Sequence, residues 1–222
     1  MTDLLHKTSL IFDLDGTLVD TAPDLVAALN RTIEPEGLAP VPLETVRHMV
    51  GHGARRLIIR AHEEQGFTLS DEALETLTAK FIEIYGGNID RFARPFEGVE
   101  PTLDLLARRG ARLSVATNKP NALAVLLLER LALADRFERI VGADAAPNKK
   151  PDPAHLRAAA GPDASNMIMV GDSSVDVEAA RNAGAAAIVM SYGYTDTEPE
   201  KLGADRVLDR FDALPEAIES LL

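Results

Sequence analysis

The sequence predicts an α/β fold, a parallel sheet with helices on both faces. Two observations carry this expectation. Short apolar runs of strand length recur along the chain, and helical patterns alternate with them. A third observation qualifies it: residues from about 20 to 92 show helical periodicity and almost no strand signal, so an all-helical insert follows the first strand.

The first strand is expected over 8–13, where Leu10, Ile11 and Phe12 form an interior run ending at Asp13-Leu14-Asp15-Gly16-Thr17. Asp13 and Asp15 are two residues apart, so on extended backbone both point to one side. Two adjacent carboxylates repel unless a cation neutralises them. Hard oxygen donors of this kind suit Mg²⁺. Gly16 allows the sharp turn that follows.

Within the insert, Thr21 can cap a helix with Pro23 in its first turn and Leu25, Leu29 and Ile33 at helical spacing. Further helices are expected over 43–49, 54–65 and 70–89, the last opening on Ser70-Asp71-Glu72-Ala73. Hinges fall at Val19-Asp20 and Arg94-Pro95-Phe96, giving a discontinuous core of 1–19 and 93–222 around an insert of 20–92. Beyond the insert, a helix over 101–109 stops at Gly110. A strand over 112–117 runs into Thr117-Asn118-Lys119, and another lies at 139–142. Asp152-Pro153 reads as an N-cap followed by proline at the first helical position. A strand over 166–170 runs into Gly171-Asp172-Ser173-Ser174-Val175-Asp176, and the helix over 174–183 ends at Gly184. Strands at 185–190 and 206–208 complete the sheet. Ligands of such sheets bind beyond the carboxyl ends of the strands, so these polar strand ends would converge on one crevice.

Composition narrows the function. The 222 residues can bury a substantial core. There is no cysteine, which removes disulfides and thiolate metal sites and fits a reducing, cytoplasmic setting. The N-terminus lacks the pattern of a signal peptide. The richest apolar stretch, 122–134, is broken by Glu129 and Arg130 and falls short of the roughly 18 residues of a membrane helix. A net charge of −12 argues against a nucleic acid partner. An anionic substrate would therefore need local positive charge, from a metal ion with one or two lysines.

The order Asp13-Leu14-Asp15-Gly16-Thr17, Thr117, Lys150-Pro151, then Gly171-Asp172 with Asp176 resembles the haloacid dehalogenase superfamily of aspartate-nucleophile phosphatases. Within it, the stretches 18–25, 95–99 and 117–119 look like the phosphoglycolate phosphatase branch. The resemblance implies a Rossmann-like core with an inserted helical cap, Mg²⁺ as cofactor and a small phosphorylated metabolite such as 2-phosphoglycolate as substrate. It implies Asp13 as nucleophile and Asp15 as general acid and base, with the Asp15 backbone carbonyl facing the metal. Dehalogenases of the superfamily lack this second aspartate, so Asp15 favours phosphoryl transfer. Asp13, Asp15 and Asp172 would hold the metal. Lys150 would neutralise charge, chosen over Lys149 because the family lysine directly precedes proline. Gly16, Thr17, Thr117 and Asn118 would meet the phosphate.

Asp176 either orients metal-bound water or Lys150, or caps the following helix with Ser173, which could itself contact metal-bound water. Gly51, His52 and Gly53 before a helical pattern, with Arg55 beside them, offer a place for a second anionic group. His6, His48, His62 and His155 lack ligand spacing and read as surface residues. The rival enzymes are a sugar-phosphate phosphatase, a pyrophosphatase and a phosphomutase. The rival of another class is a catalytically silent phosphometabolite-binding module. A membrane partner is not expected, and the chain is expected to be a monomer or homodimer.

Overall fold

A computed structural model describes residues 5, 8–47, 49–51, 53–195 and 197–222. The chain opens with β1 (Thr8–Phe12), then β2 (Val19–Asp20), and four helices follow: α1 (Ala22–Ile33), α2 (Leu43–Arg47), α3 (Ala54–Glu63) and α4 (Asp71–Gly86). Next come β3 (Arg94–Pro95), α5 (Val99–Arg108), β4 (Arg112–Ala116), α6 (Asn121–Arg130) and β5 (Arg139–Val141). The last third holds α7 (Pro153–Ala160), β6 (Asn166–Gly171), α8 (Ser174–Ala183), β7 (Ala186–Met190), β8 (Arg206–Leu208) and α9 (Leu214–Glu219). No helix among the described residues is long and apolar enough to cross a membrane.

Six strands form one sheet in the order β5-β4-β1-β6-β7-β8, all pairs parallel. The chain steps from β1 to β4 and β5, then returns across β1 to β6, β7 and β8. The direction reverses beside β1, where parallel sheets open a crevice. Register fixes what faces it. Phe12 sits opposite both Val115 and Val170, which brings Asp13, Thr117 and Asp172 to neighbouring strand ends.

Every residue of β1 is buried, as expected of a strand covered on both faces. Alternation then sorts the core. Ile11, Met169 and Val189 pack on one side with Leu156 of α7 and Val177 of α8. Leu10, Phe12, Val115 and Val170 pack on the other. There Phe12 meets the rings of Phe137 and Phe211, at 6.3 and 5.9 Å between centroids. Burying each such side chain contributes about 1.5–3 kcal/mol. The second cluster continues into Leu25, Leu57, Phe81 and Tyr85 of α1, α3 and α4.

The expected elements differ from the observed ones mainly at their ends. Val19 and Asp20 pair antiparallel with Pro95 and Arg94, so both hinge positions lie in one two-stranded ribbon. The helix expected over 70–89 stops at Gly86, where a second glycine follows and helix propensity is poor. Ser70 caps it, its Oγ accepting from the Ala73 amide. Thr21 makes no side-chain cap bond. The Tyr194 hydroxyl accepts from the Thr21 and Ala22 amides, at 2.8 and 3.0 Å, and so holds the start of the helix from outside it. Asp24, buried in α1, accepts from the amides of Phe92 and Ala93 and ties the end of the helical segment back to its beginning.

His62 and His155 correct the expectation that they lie on the surface, for both are buried. Their spacing excluded ligand sets but carried no information on burial. His62 Nδ1 lies 2.8 Å from the Ile58 carbonyl, and His155 bridges the Lys150 amide and the Val141 carbonyl. His6, His48 and His52 fall outside the described residues.

Candidate active site

The end of β1 places Asp13 between two strands, its amide donating to the Val170 carbonyl at 2.9 Å. Lys150 Nζ approaches Asp13 Oδ1 at 2.9 Å and donates to Asp176 Oδ1 at 2.7 Å. The approach to Asp13 is an ion-pair contact outside hydrogen-bond geometry, so Oδ1 is buried with no hydrogen-bond partner. The Lys150–Pro151 peptide is cis.

Asp176 both contacts Lys150 and caps the helix that follows. One oxygen holds Lys150, while Oδ2 accepts from the amides of Asp172 and Ser173 and from the Ser173 hydroxyl. Asp172 is held by Thr17 Oγ1, which donates to Oδ1 at 2.8 Å, and by the Tyr194 amide, which donates to Oδ2 at 2.7 Å.

Oxygen atoms of Asp13, Asp172 and Asp176 lie within 4.8 Å of one another, all in buried side chains. Burial pushes the Asp13 carboxyl up to about 6, against the opposing pull of Lys150 and with a further push from Asp176. Burial, then Asp176 and Asp13, also raise Asp172 well above the usual carboxylate range. Lys150 is raised as well, not by burial but by its neighbours. Burial works against its charge, but Asp13 and Asp176 outweigh burial and raise it. This donor set fits a hard divalent cation by its chemistry, since its ligands are buried carboxylate oxygens gathered within 4.8 Å of one another. Asp176 Oδ2 already takes three donors and Oδ1 holds Lys150, whereas each Asp172 oxygen accepts a single hydrogen bond, so Asp172 and Asp13 keep lone pairs to offer a cation.

The turn after Asp13 is tight, with the Leu18 and Val19 amides folding back onto the Leu14 carbonyl. Gly16 has φ +87°, and a Cβ there would lie 2.6 Å from Asp172 Oδ2, so no other residue fits without displacement. Gly193 is equally constrained, since its Cβ would lie 2.1 Å from Asp172 Cβ. Thr117 follows β4, and its Oγ1 accepts from the Lys119 amide. Asn118 Nδ2 donates to the carbonyls of Gly51 and Lys150, which joins the segment before α3 to the sheet.

A cavity opens above Asp13 and Asp15, walled by Thr117 and Asn118 on the sheet side and by Gly51, Gly53, Leu57 and Tyr85 on the helical side. Its volume open to a water-sized sphere is about 50 Å³, room for a few waters or one compact ligand. Gly16, Thr17 and Arg55 are not among its walls. Gly16 and Thr17 stand behind it against Asp172, and Arg55 is exposed on α3.

Three residues of this arrangement, Lys119, Tyr85 and Tyr194, were not singled out from sequence. Lys119 Nζ donates to Asp15 Oδ1 and Oδ2 at 2.9 and 3.1 Å and to the Tyr85 hydroxyl at 2.8 Å. A loop lysine ordinarily points to water, and only its place in the quoted Thr117-Asn118-Lys119 stretch hinted otherwise. Tyr194 lies 22 residues beyond Asp172, too far along the chain for any local signal.

Comparison with known proteins agrees with this geometry. The sequence profile of the family described as haloacid dehalogenase-like hydrolase matches residues 10–190. A phosphoglycolate phosphatase of Caulobacter vibrioides is 45% identical over 221 residues, covering 98% of this chain and 93% of the relative. That of Agrobacterium fabrum is 44% identical, covering 94% and 91%. A crystal structure of a predicted phosphoglycolate phosphatase from Haemophilus somnus superposes with a TM-score of 0.89 at 29% identity, covering 98% and 99%. CbbY from Rhodobacter sphaeroides in complex with phosphate superposes at 0.77 with 26% identity, covering 94% and 96%. A profile match running from β1 to the end of β7, with relatives similar over nearly their whole length, leaves one assignment: the chain belongs to the haloacid dehalogenase-like hydrolases.

Proposed function

We propose that the protein is a Mg²⁺-dependent phosphomonoesterase that hydrolyses 2-phosphoglycolate to glycolate and phosphate in the cytoplasm. The observation that carries this reading is the buried group of Asp13 and Asp172 at adjoining strand ends with Lys150 reaching in from the loop before α7, and Asp15 two residues beyond Asp13. The relatives named phosphoglycolate phosphatase supply the substrate. A cavity of this size suits a short one.

In this reading Asp13, Asp172 and the Asp15 backbone carbonyl hold the cation, which when bound offsets the charge of carboxylate and phosphate. An Asp13 oxygen attacks phosphorus, the ester P–O bond breaks, and an aspartyl-phosphate forms. Asp15 gives its proton to the departing oxygen, then takes one from the water that cleaves the aspartyl-phosphate and frees Asp13. Lys150, fixed by Asp176, faces the negative charge that builds on the phosphoryl oxygens. Thr117 and Asn118 meet those oxygens, and Gly16 and Thr17 shape the turn that presents Asp15. A binding module would have no use for an acid at Asp15.

Residues 20–92 act as a cap that closes over the substrate about the β2–β3 ribbon and excludes water. Gly51 and Gly53 contribute the cap side of the cavity, and Arg55 adds positive charge outside it. The test is a panel of phosphorylated metabolites ranked by kcat/KM with Mg²⁺. 2-Phosphoglycolate should rank first, and excess chelator should stop its hydrolysis. Turnover in excess chelator, or a sugar phosphate ranked well above it, would overturn the reading.

A further inference from the structure

Among the described residues that line the cavity, Lys119 is the one cation. Its side chain is 4% exposed, and it stands among apolar walls that include Leu25, Phe81 and Leu123. Burying a lysine there is costly unless its charge is used. Its three hydrogens go to the two oxygens of Asp15 and to the Tyr85 hydroxyl, and Nζ lies 4.4 Å from the centre of the Tyr85 ring. Tyr85 is itself fully buried and stacked on Phe81 at 5.9 Å. The ammonium is thus held from two sides, by the sheet through Asp15 and by the helical segment through Tyr85.

We propose that Lys119 determines specificity by receiving the second anionic group of the substrate, a carboxylate one carbon away from the phosphate ester oxygen, and that Tyr85 positions it. The inference rests on the phosphomonoesterase reading and names the group that selects the substrate. An ester oxygen in contact with Asp15 lies about 2.7 Å from a carboxylate oxygen. That oxygen is 2.9 or 3.1 Å from Nζ. A carboxylate on the adjacent carbon therefore falls within reach of Nζ. Two of the three ammonium hydrogens share one carboxylate partner, so one can pass to the substrate while Asp15 keeps the other. Neither exposed arginine of α3, Arg55 or Arg56, lines this space, so the selecting charge comes from the loop after β4.

The experiment compares 2-phosphoglycolate with ethyl phosphate, which has the same length and a methyl in place of the carboxylate. In the wild type, kcat/KM should favour 2-phosphoglycolate. Lys119→Met should lower kcat/KM for it by about 30-fold or more, mainly through KM, since a hydrogen bond to a charged group is lost. The loss for ethyl phosphate should be at least about tenfold smaller. Tyr85→Phe keeps the ring and removes the hydroxyl. It should give a smaller loss in the same direction, and it serves as the test if Lys119→Met does not fold. Equal losses on both substrates, carried by kcat, would overturn the role of Lys119 and leave it as a support for Asp15. A wild type with no preference between the two substrates would instead overturn the 2-phosphoglycolate reading, and this inference with it.

Discussion

Asp13 carries its charge where burial opposes it, and that tension sets what a substitution does. Asp13→Asn should reduce turnover by at least about a thousandfold, because the amide is a very poor nucleophile. It should leave the melting temperature unchanged or higher, since it removes one of several buried like charges. Steady-state assay and calorimetry on a preparation free of deamidation would check both, and retained turnover would remove Asp13 from its role. Gly193 tests the packing behind the site. Gly193→Ala places a methyl in the space of Asp172 Cβ and should cost about 1–3 kcal/mol by urea denaturation, with loss of activity. A neutral result would mean that the turn before Tyr194 yields easily. The residues legible in sequence were those whose chemistry is written in local spacing, such as Asp13 with Asp15 and Asp172 with Asp176. Lys119, Tyr85 and Tyr194 were not, because their partners lie 104, 34 and 22 positions away and only folding brings them together.

At the scale of elements, the start of α7 shows how a helix can fix a loop. Asp152 caps it by accepting from the Ala154 amide, and one turn later His155 Nδ1 accepts from the Lys150 amide. With Nδ1 accepting, Nε2 must carry the hydrogen given to the Val141 carbonyl, so the ring is needed neutral. Burial lowers the imidazole from its ordinary 6.5, and the Lys150 charge adds to this against the Val141 carbonyl. The unfolded chain therefore takes up the proton first as pH falls. The stability His155 contributes is full above 6.5 and fades below it, through the lower folded value. Melting temperatures of wild type and His155→Gln between pH 7.5 and 5 should converge toward the acid end. A constant gap would show that the imidazole does not titrate in the fold. Strand and helix identities were readable here because apolar runs and caps are local signals. The start of α1 falls after Thr21 as expected, but the bond that holds it there comes from a distant group, the Tyr194 hydroxyl, which takes the Thr21 and Ala22 amides.

At the scale of the whole molecule, four carboxylates, Asp13, Asp15, Asp172 and Asp176, face two lysines, Lys119 and Lys150, in one crevice. A bound divalent cation balances the sum. Adding Mg²⁺ to chelator-treated protein should raise its melting temperature, by the equivalent of about 2.7 kcal/mol at a hundred times the dissociation constant. No shift at any concentration would argue against a metal at this place. The position of β1 has one more consequence, for the history of the chain rather than for its chemistry. The strand is made within the first dozen residues, yet its two partners are β4 and β6, which begin at residues 112 and 166. At ribosomal rates of about 5–20 residues per second, roughly 5–20 s pass between the emergence of β1 and that of its first neighbour. Through that interval a strand centred on Leu10, Ile11 and Phe12 waits unpaired, while the contacts of α1 with α2 and α4 and of α3 with α4 can already form behind it. Newborn chains should therefore lean on chaperones at this stage, and substitutions that weaken early helix packing should reduce the yield of folded protein before they alter the finished enzyme.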